Sequence, residues 1–312
     1  MSLTVTRPLR LGTRGSALAM AQSGLVATAI SEHSGRGVEL VEITTAGDLS
    51  SAPIQQLGGT GVFVSALRDA LLAGEIDVAV HSYKDLPTAP ADGLTIAAVP
   101  ARQDPRDVLV ARDGLTLRDL PAGSRVGTGA PRRVAQLNAL GVGLECVPIR
   151  GNVDTRLRKV TSGELDAVVL AYAGLARLDR AAEVTDVLDP DVVLPAPAQG
   201  ALAVECRLED TAMVSLLGAL DDPLTRACVV AERALLAALE AGCSAPVGAL
   251  ATVRNTGTAE ELLLEGGVIA LDGSAALRLS ASGPLHDADV IGRRLAAALL
   301  DAGATTLMGS TT

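Results

Sequence analysis

Gly74-Glu-Ile-Asp-Val-Ala-Val80 returns in the second half of the chain as Gly163-Glu-Leu-Asp-Ala-Val-Val169. In each copy a glycine and two acidic residues lead into a short, unbroken apolar run of strand type. Such runs belong to strands buried on both faces, as in parallel sheets covered by helices. Working outward, each copy sits in the same alternation. Strands over 9–12 and 38–43, helices over 16–31 and 63–73, and a strand over 96–99 surround the first. Strands over 108–110, 124–127 and 144–148 and helices over 131–140 and 154–162 precede the strand 167–170 of the second. This is βαβ organisation, and it predicts two similar α/β lobes.

The strand 201–206, beyond Pro195-Ala-Pro-Ala-Gln-Gly200, is expected to return to the first lobe. Domain 1 then takes 1–101 and 198–220, and domain 2 takes 102–197. Past Asp221-Asp-Pro223 the pattern changes to a helix over 224–239, strands over 248–253, 262–271 and 276–282, and a last helix over 287–302. That is a small α+β domain 3 over 221–312.

The 312 residues are 48% hydrophobic, yet hold one Phe, two Tyr and no Trp, so the cores are built from Ala, Val and Leu and no aromatic platform for nucleic acid is available. A net charge of −10 argues against nucleic acid or anionic membrane as a partner. Local arginine clusters therefore read as small-ligand sites. Cys146, Cys206, Cys228 and Cys243 are widely spaced without a C-x-x-C pair, which suggests neither a metal site nor a disulfide framework and fits a reducing cytoplasm. No apolar run approaches the roughly 20 residues that span a bilayer, and no long exposed apolar stripe asks for a second subunit, so a monomer is expected.

Three strand-to-helix turns carry arginine. Arg14-Gly-Ser-Ala-Leu-Ala19 places Ser16 as a cap beside backbone N–H groups able to hold an anion. Val126-Gly-Thr-Gly-Ala-Pro-Arg-Arg133 puts Pro131 in the first helical turn and two arginines just past a glycine-rich bend. Ile149-Arg-Gly-Asn-Val-Asp-Thr-Arg156 repeats the plan, with Asp154 as its cap. Forked guanidinium donors recognise carboxylate or phosphate. Among acids, Asp85 in His81-Ser-Tyr-Lys-Asp-Leu-Pro87 follows a buried strand and neighbours Lys84, which favours its ionised form. His81 is assigned a structural role. The polar, glycine-rich 46–61 reads as a lid ending at Phe63, and Cys243 is a lone thiol in a loop after a long helix.

Taken in order, Gly12-Thr-Arg-Gly-Ser-Ala-Leu-Ala19, His81–Pro87, Val126-Gly-Thr128 with Arg132-Arg133, Ile149–Arg156, Ala173-Gly-Leu-Ala-Arg177, Pro197-Ala-Gln-Gly200 and Gly242-Cys243 resemble the porphobilinogen deaminase family over nearly the whole length. The resemblance implies two lobes like type II periplasmic binding proteins, an active site in the cleft between them, and a third domain whose cysteine, here Cys243, carries a dipyrromethane cofactor through a thioether. It implies stepwise head-to-tail condensation of four porphobilinogen molecules with loss of ammonia, then hydrolysis to hydroxymethylbilane. Matched motif by motif, Asp85 is the catalytic aspartate. Ser16, Lys84, Asp85, Arg132, Arg133 and the backbones of Gly129, Ala130 and Gly151 hold the cofactor beside Cys243. Arg14, Ser16, Phe63, Arg150, Arg156, Arg177 and Gln199 hold substrate.

Each pyrrole bears two carboxylates, which explains the arginines. Attack on an azafulvene puts positive charge on ring nitrogens, which explains a carboxylate. Thr60 stands where many relatives have lysine, and Gly129-Ala-Pro131 replaces a common Ser-Ser-Leu, removing hydroxyl donors. The competing reading is a two-lobed cytoplasmic protein that binds a polycarboxylate without chemistry; it gives Cys243 and Asp85 no task.

Overall fold

The computed structural model describes residues 7–44, 64–240, 245–255, 257 and 260–308. The expected lid, Thr60, Phe63 and Cys243 lie outside the described residues. Two compact units are resolved, one within Met1–Arg102 and Ala201–Arg226, the other within Gln103–Gly200 and Ala227–Thr312.

In the first unit five strands are ordered Val38–Glu42, Leu9–Thr13, Val78–Ser82, Leu202–Arg207, Leu94–Ala98. The first three are parallel, and Leu202–Arg207 enters antiparallel to both its neighbours. The alternation of strand side chains divides the core in two. Leu9, Leu11, Val78 and Val80 share one cluster with Val26 and Ile30 of the helix Ala17–Ser34. Ile76 and Ala79 share the other with Leu67 and Leu71 of the helix Ser65–Leu72. Residues apolar on every position are what a sheet covered on both faces requires.

The second unit contains a five-stranded sheet of the same plan: Glu145–Val147, Arg125–Gly127, Ala167–Ala171, Asp107–Ala111, Asp186–Val187. Again three strands are parallel and the fourth antiparallel. Even the close contacts recur. A Cβ on Gly12 would lie 2.3 Å from Ile76 Cδ1, and one on Gly127 would lie 2.5 Å from Leu165 Cδ1. In both sheets a glycine opens the space for the apolar residue just before the repeated aspartate.

The same unit holds the small sheet, the antiparallel Val247–Asn255, Glu260–Ile269 and Ala276–Pro284. Leu235, Ile291, Leu295 and Leu299 from the helices Pro223–Ala238 and Ala288–Asp301 pack on its Val247, Leu262 and Leu264. The α/β plan with a small third sheet is thus present. Sequence periodicity overlooked Tyr172–Ala176, Asp186–Val187 and Ala304–Met308, which are too brief to show a period, and also the helix Thr211–Gly218.

Candidate functional site

Because the first three strands of each five-stranded sheet are parallel, their C-terminal ends share one edge, and ligands in open α/β sheets bind beyond that edge. In the first unit this edge carries two of the expected turns. Thr13 ends its strand, Arg14 and Gly15 turn, and Ser16 caps the helix Ala17–Ser34 by accepting the N–H of Ala19 at 3.3 Å. The cap at Ser16 is the one read from sequence. On the adjacent strand, Val78–Ser82 runs into a single 3-10 turn, Tyr83–Asp85, closed by the Leu86 N–H donating to Tyr83 O. Tyr83 is buried and Asp85 half-exposed. Gln22 donates to Ser82 Oγ at 2.8 Å, so the helix behind Arg14 is tied to the strand before Asp85.

Beneath that turn His81 Nε2 lies 3.1 Å from Glu205 Oε2, and Arg68 bonds both Glu205 oxygens. Burial alone would raise the Glu205 carboxyl, but hydrogen bonds from His81 and Arg68 outweigh it and hold it low. His81 is fully occupied with this pairing at its Nε2 and 6% exposed, in keeping with its structural role.

In the second unit the corresponding edge gathers arginines. Pro131–Ala139 begins with Pro at its first turn, as expected, and carries Arg132 and Arg133, which are 4% and 5% exposed. Both reach one carboxylate that the sequence reading overlooked. Arg132 donates to Asp107 Oδ2 and Arg133 to Asp107 Oδ1, each at 2.7 Å. Asp107 opens the antiparallel strand opposite Ala171, so topology brings it to the same edge. A lone aspartate heading the apolar Asp107-Val-Leu-Val-Ala111 was the signal available. Burial would raise Asp107, yet the facing charges of Arg132 and Arg133, with their hydrogen bonds, keep it far below the carboxylate range. Burial lowers Arg132 despite the Asp107 charge.

Two guanidinium groups against one carboxylate leave a surplus of one positive charge in a dry setting. Arg133 Nε is buried with no hydrogen-bond partner among the described residues. Buried donors of this kind are ordinarily paired, so a further acceptor, an anionic one, suits the site. Arg177 tells the same story: Nη2 donates to Gly200 O at 2.6 Å, Nε is buried without a partner among the described residues, and burial pulls its pKa down to about 10.

The third turn differs in one detail from its reading. Asn152, not Asp154, caps the helix Val153–Thr161, accepting the N–H of Thr155 at 2.9 Å, while Asp154 sits in the first turn. Asn is as good a cap as Asp and stands where the chain is still extended. Gly151, at φ 106°, makes the bend that only glycine takes without strain, and its carbonyl accepts Arg156 Nε at 2.8 Å. Arg150 is exposed at the same edge, and between strand and helix Gly129 is exposed and Ala130 half-buried, with the Ala130 N–H donating to Thr128 Oγ1 at 3.3 Å. A Cβ on Gly129 would meet Ile149 O at 2.7 Å.

Gln199 departs from its expected contact. It is 1% exposed, and Nε2 donates to Asp107 Oδ1 at 2.8 Å and to Pro105 O at 2.7 Å. Its amide supports the aspartate behind the arginines. Cys206 and Cys228 are buried and Cys146 half-buried; burial raises the thiol of Cys146, and that of Cys206 to about 11, which makes both poor nucleophiles.

Comparison with known proteins agrees with this chemistry. The family model "Porphobilinogen deaminase, dipyromethane cofactor binding domain" matches residues 9–215, and "Porphobilinogen deaminase, C-terminal domain" matches 226–301. Porphobilinogen deaminase 1 of Streptomyces coelicolor is 62% identical, over 97% of this chain and 98% of that protein. Porphobilinogen deaminase of Nocardia farcinica is 61% identical, over 96% and 88%. Among solved structures the methionine binding protein MetQ aligns with a TM-score of 0.45 and 13% identity, over 68% of this chain and 89% of that one.

Proposed function

The chain belongs to the porphobilinogen deaminase family, and from that membership we propose how its residues share the work. The enzyme is a transferase of tetrapyrrole biosynthesis that condenses four porphobilinogen molecules head to tail, releases ammonia, and hydrolyses the product to hydroxymethylbilane. Its cofactor is dipyrromethane, which when bound supplies the terminal pyrrole carbon from which the chain grows.

The observation that carries the assignment of residues is the Arg132–Arg133–Asp107 cluster, a buried surplus of positive charge with an unpartnered Nε. It fits a group rich in carboxylates. Arg132 and Arg133 bind cofactor carboxylates through the donors that Asp107 leaves over, and Asp107 fixes the orientation of both forks. Backbone N–H groups of Gly129, Ala130 and Gly151, with Ser16 and Lys84, add neutral and cationic donors. Arg177, with its unpartnered buried Nε, and Arg14, Arg150 and Arg156 take substrate carboxylates, and Phe63 covers the rings. Gln199 acts behind Asp107.

Asp85 holds pyrrole N–H groups, stabilises positive charge that develops on them, and accepts the proton lost as each ring regains aromaticity. Its place on a single tight turn, beside buried Tyr83 and the Gln22–Ser82 bond, fixes the backbone that carries the carboxylate. Cys243 anchors the cofactor as a thioether, which survives repeated turnover. The enzyme acts as a monomer in the cytoplasm; among the described residues Cys146, Cys206 and Cys228 form no disulfide, which suits a reducing compartment.

Intact mass tests the anchor. Wild-type protein is expected to carry the mass of two pyrrole units, and the Cys243→Ser variant none. A wild type that stays unmodified after incubation with porphobilinogen refutes it.

A further inference from the structure

We propose that Glu232 is a positioning residue that registers the chain on either side of Cys243 against the Arg132–Arg133 pair; the proposal rests on Cys243 being the anchor. Glu232 lies on the helix Pro223–Ala238 and is 0% exposed. None of the chemistry described above uses this buried carboxylate. One of its oxygens accepts the backbone N–H of Ala251 at 2.8 Å, and the other accepts that of Ala198 at 2.5 Å. A carboxylate presents acceptors on both sides. A glutamine in its place would turn an NH₂ toward one of the two N–H groups and leave it unpaired.

Ala198 is the informative partner. Its φ of 61° is left-handed, a conformation that is unfavourable for an alanine and that the bond to Glu232 helps to hold. The next residue is Gln199, which donates to Asp107, and Asp107 orients Arg132 and Arg133. A continuous line of hydrogen bonds and one peptide unit thus runs from Glu232 to the arginines.

A second tie flanks the first. Ala249 on the strand Val247–Asn255 donates to Pro195 O at 2.9 Å, at the other end of the same turn. In sequence, Cys243 falls between that helix and that strand. The segment entering the cysteine loop and the segment leaving it are therefore both fastened to Pro195–Gly200, the turn that supports the arginine cluster. A tethered group reaches its carboxylate partners only if anchor and partners keep a fixed separation, and remote misplacement of about 1 Å can cost on the order of a hundredfold in rate.

The test follows the two-pyrrole adduct by intact mass as full-length apoprotein is incubated with porphobilinogen, with Cys243→Ser as control. Glu232→Gln and Gln199→Leu are each expected to acquire the adduct about tenfold or more slowly while unfolding cooperatively. Glu232→Gln combined with Ala198→Gly is expected to regain part of the rate, because glycine holds a left-handed φ without the carboxylate. A folded Glu232→Gln that loads at the wild-type rate overturns the proposal. So does a double variant with no recovery, which would leave Glu232 a role in stability alone. Should Glu232→Gln not fold, a wild-type rate in Gln199→Leu is equally decisive against it. An adduct that persists in Cys243→Ser, or never forms on the wild type, refutes the anchor itself, and the proposal falls with it.

Discussion

Asp77 and Asp166 do the same work at one end of the two five-stranded sheets, whereas at the opposite end the sheets share almost nothing. Asp77 donates its N–H to Arg10 O at 2.8 Å and accepts the N–H of Arg10 at 2.9 Å; Asp166 does so with Arg125 at 2.9 and 2.7 Å. The two arginines even return the favour alike, Arg10 donating to Gly74 O and Arg125 to Glu164 O. At the other end Thr13 is followed by Arg-Gly-Ser but Thr128 by Gly-Ala-Pro, and where one sheet leads from Ser82 into Tyr-Lys-Asp, the other leads from Ala171 into Tyr-Ala-Gly. The end that repeats closes the sheets; the end that differs holds the chemistry. A duplicated frame leaves its C-terminal edge loops open to specialise, because they lie outside the hydrogen-bonded ladder.

The largest effect should come from the differing end. Asp107→Asn leaves Arg132 and Arg133 buried with one charge fewer against them, and breaking a buried pair costs about 3–5 kcal/mol. Chemical denaturation is expected to show that loss. A loss below about 1 kcal/mol would mean that the cluster is open to water, as an exposed pair would be.

Asp85→Asn sharpens the contrast differently. Its counterpart in the second sheet is Gly174, so no common frame depends on it. The variant should lose turnover by about a hundredfold or more, with an unchanged unfolding midpoint and the cofactor mass still present. Activity near wild type would remove Asp85 from the proposed mechanism.

The sequence made the frame legible because it is local. Strand runs, the Ser16 cap and the three arginine turns each depend on a few neighbouring residues, and their order along the chain sets the parallel part of each sheet. What stayed hidden depends on distant pairing. Asp107 meets Arg132 and Arg133 only because the antiparallel strand Asp107–Ala111 lies beside Ala167–Ala171. Glu205 meets Arg68 and His81 only through the strand that returns from the far end of the lobe. Gln199 looked like a ligand contact because its motif sits at the site, while its side chain points behind it. Asp154 lost the cap to Asn152 because which residue of an Asn-Val-Asp run stays extended is decided by the Gly151 bend before it.

The smallest effects should come from the repeated end, and they rank the two copies. Asp77 is 12% exposed as a side chain and draws on Arg7, Arg10 and Arg207, whereas Asp166 is 27% exposed and draws on Arg112 and the Arg125 backbone. Burial would raise Asp77, but the side-chain and backbone bonds from Arg10 bring its carboxyl from an ordinary 3.8 to about 2. Asp166 is lowered chiefly by the Arg125 N–H. A folded-state pKa below the unfolded one stabilises the protein above the unfolded value, and the gain disappears as pH falls from 3.8 through about 2. With screening by solvent allowed for, Asp77→Asn should cost on the order of 1–2 kcal/mol at neutral pH, and Asp166→Asn less than about 1 kcal/mol. Neither should alter KM, since both lie at the end of the sheet away from the arginine turns. The gap between wild type and Asp77→Asn should close on acidification. If it stays constant down to pH about 2, the carboxylate charge contributes nothing there, and the gap comes from a pH-independent difference between the two side chains, such as an amide NH₂ facing the Arg10 donors.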